Sequence, residues 1–111
     1  MIDLPQMRCE VCQVGSPQAS QEEIDEFMPQ LPGWEIVELD GIKKLRCKFQ
    51  FANFKQALAF TNKVGELAEQ HDHHPTLVTE WGQVTVIWWT HKINGLHVND
   101  FVMAAKTDSL L

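Results

Sequence analysis

The β-rich run Gln83–His91 is apolar on both of its faces, so the chain needs a fold that covers this strand from two sides. Side chains alternate between the two faces of a strand. One face carries Val84, Val86 and Trp88, and the other carries Ile87 and Trp89. Helices of the same chain can cover one face, and we expect the other face to meet a partner or a pocket. We therefore predict a homo-oligomer.

The other segments predict the element order α-β-β-α-β-β-α. Gly82 separates the run Gln83–His91 from a preceding β-rich run, Thr76–Trp81, which predicts a hairpin whose turn tolerates positive φ at the glycine. The first element is a helix with a capping box at Ser20 and Glu23 that ends at Pro32-Gly33, and it is followed by strands Trp34–Leu39 and Ile42–Phe51 around a turn at Asp40-Gly41. Asn53 caps the second helix, which runs from Phe54 to about Gln70. The last helix runs from about Val98 to Thr107. This order is typical of an α+β fold, a four-stranded antiparallel sheet with helices on one face.

The length of 111 residues fits one domain. The linker-like stretch "GSPQAS" at 15–20 predicts an irregular N-terminal arm over 1–19 and a single domain over 20–111. Two of the three cysteines form Cys9-x-x-Cys12 within this arm. A second cysteine pair that would complete a zinc site is absent from the sequence, and a redox motif would follow a strand and open a helix. We interpret the pair as two thiols without a role in a site.

The charge balance argues against two classes of partner. Nine Lys and Arg residues against fifteen Asp and Glu residues give a net charge of −6, and no basic stripe could follow a phosphate backbone. The N-terminus lacks a signal-peptide pattern, and the longest strongly apolar run, "VIWW", is too short to span a bilayer. We expect a cytoplasmic protein that binds neither nucleic acid directly nor a membrane.

The stretch "HDHHP", residues 71–75, suggests either a metal site or a proton-transfer site. His74 precedes a proline and should be extended, so His73 and His74 should point to opposite faces and cannot easily share one ion. A lone His-x-His pair, His71 with His73, is a weak metal signal. If hairpin partners around Gly82 have numbers that add to 163 or 164, His91 lies opposite Asp72 or His73, which favours proton transfer.

A longer spaced pattern supports the second interpretation. The pattern consists of Glu69, three positions, His73-His74-Pro75, five positions, Trp81, nine positions, His91, eight positions and Asp100. It resembles the signature of the pterin-4a-carbinolamine dehydratases, and the resemblance runs from "LPGW" at Leu31 to "NDFVMAAKTD" at the last helix. A pattern of this length is far more specific than a four-residue motif.

The resemblance implies dehydration of 4a-hydroxytetrahydropterin to quinonoid dihydropterin, without a metal or organic cofactor. It also implies three helices on one face of the sheet, and a homodimer or homotetramer. An aromatic amino-acid hydroxylase would supply the substrate and is a possible partner. The catalytic set would be His73, His74 and His91; the substrate site would be lined by Asp72, Pro75, Trp89 and Thr90 and supported by Glu69 and Asp100.

Several alternatives stay open at this stage. His74 and His91 are the preferred proton-transfer groups, with His73 positioning the ring or sharing the acid role. Asp100 can equally cap the last helix. At His97, where relatives commonly have Ser or Thr, the cap should be weaker. Relatives also stabilise dimers of a transcription factor, so a protein-binding module is a second functional hypothesis, and a metal protein is the third.

Overall fold

A computed structural model describes residues 4–6 and 17–111 and contains a four-stranded antiparallel sheet with three α-helices. The elements are α1 (Gln21–Phe27), β1 (Glu35–Leu39), β2 (Ile42–Gln50), α2 (Phe54–His71), β3 (Thr76–Glu80), β4 (Gln83–Trp88) and α3 (Val98–Asp108), with short 3₁₀ turns at Leu4–Gln6, Met28–Gln30 and His91–Ile93. The strands lie in the order β1-β2-β4-β3. The predicted fold class and element order are confirmed. The cysteines of the Cys9-x-x-Cys12 motif lie outside the described residues.

The first hairpin forms at the predicted turn. Asp40 and Gly41 have φ values of 53° and 77°, and Leu39 pairs directly with Ile42. Positive φ at both central residues gives a turn whose twist matches that of the flanking strands. The turn chemistry therefore fixes the register of β1 against β2.

The second hairpin has the predicted register but a different turn. Thr76 pairs with Ile87 and Glu80 with Gln83, so the numbers of paired residues do add to 163. The turn was expected to tolerate positive φ at Gly82, but the glycine with positive φ among the described residues is Gly41. At Gly82 the constraint is close approach instead: a Cβ there would lie 3.0 Å from the backbone oxygen of Phe51.

The second hairpin is also shorter than predicted. β4 ends at Trp88, the ladder to β3 ends at the pair Thr76–Ile87, and His91 opens a 3₁₀ turn. The prediction that His91 lies across the ladder from Asp72 or His73 is therefore wrong. The physical reason is that Thr90 bridges to Gly95, which turns the chain back on itself after β4.

Helix bounds follow local capping and proline chemistry. The capping box at Ser20 and Glu23 is present, but α1 ends at Phe27 because Pro29 follows, and proline lacks the N–H that a further helical turn needs. The Asn53 side chain accepts a hydrogen bond from Gln56 N at 2.9 Å and caps α2. With 18 residues α2 is the longest helix, and no helix in the described part of the chain is long and apolar enough to cross a membrane.

The core lies between the helices and one face of the sheet. The strand residues on this inner face are Leu45, Cys47 and Phe49 of β2 and Val84, Val86 and Trp88 of β4, all buried. The opposite, outer face carries Lys44, Arg46 and Lys48 on β2 and Thr85 and Ile87 on β4. The boundary of the domain at residue 19 stays a prediction; before it, Leu4 is fully buried and Pro5 O accepts a hydrogen bond from Lys106 Nζ at 2.8 Å.

Candidate active site

The end of α2 directs His73 and His74 to different sides. Asp72 terminates the helix in the left-handed conformation, with φ 49° and ψ 43°, and its N–H bonds to Ala68 O and Glu69 O. His73 N donates to Ala68 O at 3.1 Å. After this turn the side chain of His73 is 11 % exposed, whereas that of His74 is 55 % exposed. The two histidines therefore have different neighbours, as the extended conformation before Pro75 predicted.

His73 is fixed by a buried carboxylate. Its Nε2 lies 2.7 Å from Asp100 Oδ1, and the Asp100 side chain is fully buried at the start of α3. The imidazole also stacks on Trp88, with ring centroids 5.7 Å apart and an interplanar angle of 18°. Because Nε2 is occupied, Nδ1 is the nitrogen of His73 that is left for a substrate.

Asp100 binds three groups from three parts of the chain. Besides His73, its Oδ2 accepts hydrogen bonds from Thr90 Oγ1 at 2.8 Å and from His97 N at 2.9 Å. The carboxylate also lies in the first turn of α3, where the helix dipole stabilises negative charge. Asp100 thus caps the helix and also connects the histidine cluster to the residue before His91.

His97 acts as the N-cap of α3. Its Nδ1 accepts a hydrogen bond from Asn99 N at 3.0 Å, the role that a Ser or Thr oxygen usually has. Together with the bond from His97 N to Asp100, this forms a capping box, and the helix begins at Val98 as predicted. The position of Asp100 is therefore set by the helix cap itself.

His74 is paired with Glu69 on the surface. His74 Nε2 and Glu69 Oε2 lie 2.9 Å apart, and the Glu69 side chain is 78 % exposed. Glu69 is in the last turn of α2, where the helix dipole disfavours a carboxylate, so the nearby imidazole gives it a favourable partner. The pair is open to solvent.

His91 lies in the loop that follows β4. Its ring stacks on Trp89, with centroids 4.1 Å apart and an interplanar angle of 27°, and no described side chain is hydrogen-bonded to it. The loop is fixed by the two hydrogen bonds between Thr90 and Gly95, and by Ala19 N, which donates to Leu96 O at 2.7 Å. His91 is exposed to solvent.

Two contacts of this site were missed by sequence reasoning. Lys44 Nζ lies 3.8 Å from the centroid of the Trp89 ring, and the Trp88 ring stacks on the imidazole of His73. Lys44 could not be assigned to the site because it belongs to the first hairpin, and hairpin patterns do not reveal that β2 pairs with β4. Trp88 was correctly assigned to the core face. Its contact with His73 could not be predicted, because it depends on how the loop after α2 places His73.

The remaining predicted residues lie at the edge of this arrangement. Asp72 is exposed and Pro75 is partly buried directly before β3. Burial lowers the pKa of His71 from its ordinary value, and Lys106 and His73 lower it further. Among residues 4–6 and 17–111, no three His, Cys, Asp or Glu side chains converge as metal ligands would.

Comparison with known proteins identifies one family. A family model described as pterin 4 alpha carbinolamine dehydratase matches residues 17–110. A protein of Nitrosococcus oceani, provisionally named pterin-4-alpha-carbinolamine dehydratase, is 58 % identical over 111 residues, which cover 100 % of this chain and 98 % of the relative. A protein of Syntrophotalea carbinolica with the same provisional name is 56 % identical over 108 residues, covering 97 % and 96 %.

A solved structure also resembles the fold. The crystal structure of a transcriptional coactivator/pterin dehydratase from Brucella melitensis superposes with a TM-score of 0.75 and is 30 % identical. The match covers 85 % of this chain and 98 % of that one. The likeness therefore includes nearly the whole of the solved chain.

Proposed function

Because this chain belongs to the pterin 4 alpha carbinolamine dehydratase family, we propose that it is a hydro-lyase that converts 4a-hydroxytetrahydropterin to quinonoid dihydropterin and water. In this role it recycles the pterin cofactor of aromatic amino-acid hydroxylases in the cytoplasm and needs no metal or organic cofactor. The observation that carries the proposal is the pairing of two adjacent histidines with two different carboxylates, His73 with Asp100 and His74 with Glu69.

The reaction needs one acid and one base on a single substrate. The C4a–O bond breaks while the hydroxyl group accepts a proton and leaves as water. The proton on N5 passes to a base, and the electron pair of the N5–H bond forms the C4a=N5 double bond. Imidazoles perform both steps near neutral pH, because the ordinary pKa of histidine is about 6.5.

The environments of the three histidines support different roles. His74 is the proposed acid, since its Nε2 lies 2.9 Å from the Glu69 carboxylate and the pair is open to solvent. His91 is the proposed base, because it is exposed and no described carboxylate is hydrogen-bonded to it. His73, buried and held by Asp100, is proposed to position the pterin ring through Nδ1.

Stopped-flow dehydration of freshly generated 4a-hydroxytetrahydropterin tests the proposal. Since the substrate also loses water unaided, the rate must be measured above a blank without enzyme. His74→Ala and His91→Ala should each remove most of the acceleration, about 10²- to 10⁴-fold for a positioned acid or base. The double variant is included because effects within one catalytic unit need not add.

His71→Ala is the matched control, because this histidine lies in the same segment and has no proposed role. Wild-type rates in both catalytic variants would contradict the assignment. So would a loss of activity on chelation that zinc restores, since that result would instead indicate a metal enzyme.

A second candidate function is binding to a protein partner, as a dimerisation cofactor of a transcription factor or as a regulator of a hydroxylase. The outer face of the sheet favours it, since Val78 is 45 % exposed there and Ile87 is only partly buried. Sedimentation of the double histidine variant with a purified hydroxylase separates the two functions. If the inactive variant forms a complex, protein binding is supported as an independent function. If neither the variant nor the wild-type chain forms a complex, this function is rejected.

A further inference from the structure

Lys44 reaches the candidate active site from the neighbouring strand. Leu45 of β2 pairs with Trp88 of β4, so the next residues outward from this pair, Lys44 and Trp89, face each other on the outer side of the sheet. Lys44 Nζ lies 3.8 Å from the centroid of the Trp89 ring. The same ring stacks on His91 at 4.1 Å. The ammonium group and the proposed catalytic base therefore share one indole.

The charge of Lys44 is not balanced by a carboxylate. Two residues further along β2, Arg46 donates from Nε and Nη2 to Glu35 Oε1 at 2.9 and 2.7 Å. No Asp or Glu in the described part of the chain lies within 4.0 Å of Lys44 Nζ.

The contact with Trp89 also leaves the hydrogen-bonding capacity of Lys44 largely unused. An ammonium group has three N–H donors, and an indole face attracts the charge but is only a weak acceptor. Because both groups lie about 4 Å from the same ring, the ammonium group and His91 occupy opposite faces of the indole. A pterin side chain that extends from His91 past the edge of this ring would meet a half-buried cation with free donors. A neutral substituent would leave the charge uncompensated, whereas an oxyanion would accept charge-assisted hydrogen bonds.

We propose that Lys44 is a specificity-determining residue that favours pterins whose side chain carries an oxyanion, a phosphate or a carboxylate, over pterins with a neutral side chain. The inference rests on the proposed pterin site and adds the chemical class of the side chain. Lys44 acts on the substituent and not on the proton transfers.

Equilibrium binding of stable dihydropterins tests this inference without a dehydration assay. Isothermal titration calorimetry would compare 7,8-dihydroneopterin, which has a neutral side chain, with its 3′-phosphate, and 7,8-dihydrofolate would provide a carboxylate. The wild-type chain should bind at least one anionic probe about tenfold more tightly than dihydroneopterin, the order of one partly exposed charge-assisted hydrogen bond. Which anionic probe gains distinguishes phosphate from carboxylate.

Variants on the same strand provide the controls. Lys44→Met should remove the preference by weakening the anionic probes more than dihydroneopterin, and Lys44→Arg should retain most of the preference. Lys48→Met, on the same face but opposite Thr85, should behave as wild type. The inference is overturned if the wild-type chain has no preference, or if Lys44→Met weakens neutral and anionic probes equally.

Binding of dihydroneopterin to the wild-type chain distinguishes a failure of the proposed role of Lys44 from a failure of the proposed pterin site. If it binds and the preference for anions is absent, only the role of Lys44 is wrong. If none of the three probes binds to the folded wild-type chain, the proposed pterin site and the role of Lys44 are both rejected.

Discussion

The imidazole of His73 and the carboxylate of Asp100 are joined by a 2.7 Å hydrogen bond, in which Asp100 is fully buried. The same carboxylate accepts from Thr90, which precedes His91, and from the backbone of His97. A single buried group therefore fixes the orientation of one histidine, the loop of a second and the start of α3. This arrangement lets the rigid helix cap control the geometry of the candidate site.

Asp100→Asn should lower kcat by about 10- to 100-fold, less than the ~10²- to 10⁴-fold effect of a positioned acid or base. The amide keeps one oxygen that can accept from Thr90 or His97, but it no longer offers an anionic partner to His73. Because His73 is proposed to position the ring, KM should rise as well. Stopped-flow kinetics at several substrate concentrations, with circular dichroism to verify folding, would measure both effects.

The control for this variant is Glu23→Gln, which alters the capping box of α1, where Glu23 Oε1 accepts from Ser20 N at 2.9 Å. It should reduce stability slightly, since glutamine keeps an oxygen that can accept from Ser20 N, and it should leave kcat unchanged. Equal kinetic effects of the two variants would mean that Asp100 acts only through the stability of the helix.

Local sequence signals predicted most of the fold, because each of them acts over a few residues. Asp40-Gly41 determined its turn, Asn53 capped its helix, and the alternation in β4 identified the buried face. The pairing of β2 with β4 could not be predicted, since it joins strands from two different hairpins. For the same reason Lys44 could not be placed beside Trp89.

The spaced pattern led to the prediction that His73, His74 and His91 form the catalytic set, and this stays a prediction. The geometry of the candidate site was not predictable, since the hairpin register placed His91 wrongly because the Thr90–Gly95 bridge ends the strand early. Asp100 was expected to cap the last helix, a role that does not exclude contact with the site. It accepts from His97 N at the start of α3 and is also hydrogen-bonded to His73 and Thr90, contacts that only the three-dimensional structure could reveal.

The chain should sediment as a homo-oligomer at micromolar concentration, with a mass above the 12.7 kDa of one chain. The reason is the outer face of the sheet, where Val78 is 45 % exposed and Ile87 is partly buried. Val78→Lys should weaken association roughly tenfold or more, the factor that corresponds to about 1.4 kcal/mol. Leu111→Lys, at an exposed apolar position away from the sheet, is the control, and a single 12.7 kDa species for the unaltered chain would refute the prediction.

The thiol of Cys47 should be unreactive in the folded chain. Burial, with smaller effects of Asp108 and Glu35, raises its pKa to about 11. At pH 8 only about one thiol in 10³ would then be ionised, and the thiolate is the reactive form. In a Cys9→Ser/Cys12→Ser variant, labelling with a disulfide reagent should be slow in native buffer and fast in denaturant. Fast, stoichiometric labelling of the native variant would contradict the burial of this side chain.

The Asp108→Asn variant should gain stability over the wild-type chain as the pH rises from acid to neutral. Burial raises the pKa of Asp108 above its ordinary value of 3.8, and the hydrogen bond from Trp34 Nε1, at 2.9 Å, opposes this shift. The folded state therefore binds this proton more tightly than the unfolded state. The resulting stabilisation is fully present below pH 3.8 and is lost as the pH rises through the higher folded pKa.

Asparagine retains an oxygen that accepts from Trp34 but does not titrate, so the variant avoids this loss. Thermal unfolding at a series of pH values should show the difference in free energy of unfolding, variant minus wild type, increasing from acid to neutral pH and then levelling. Glu38→Gln, at an exposed position in β1, is the control for removing one negative charge. A difference that does not change with pH would mean that folding does not raise the pKa of Asp108.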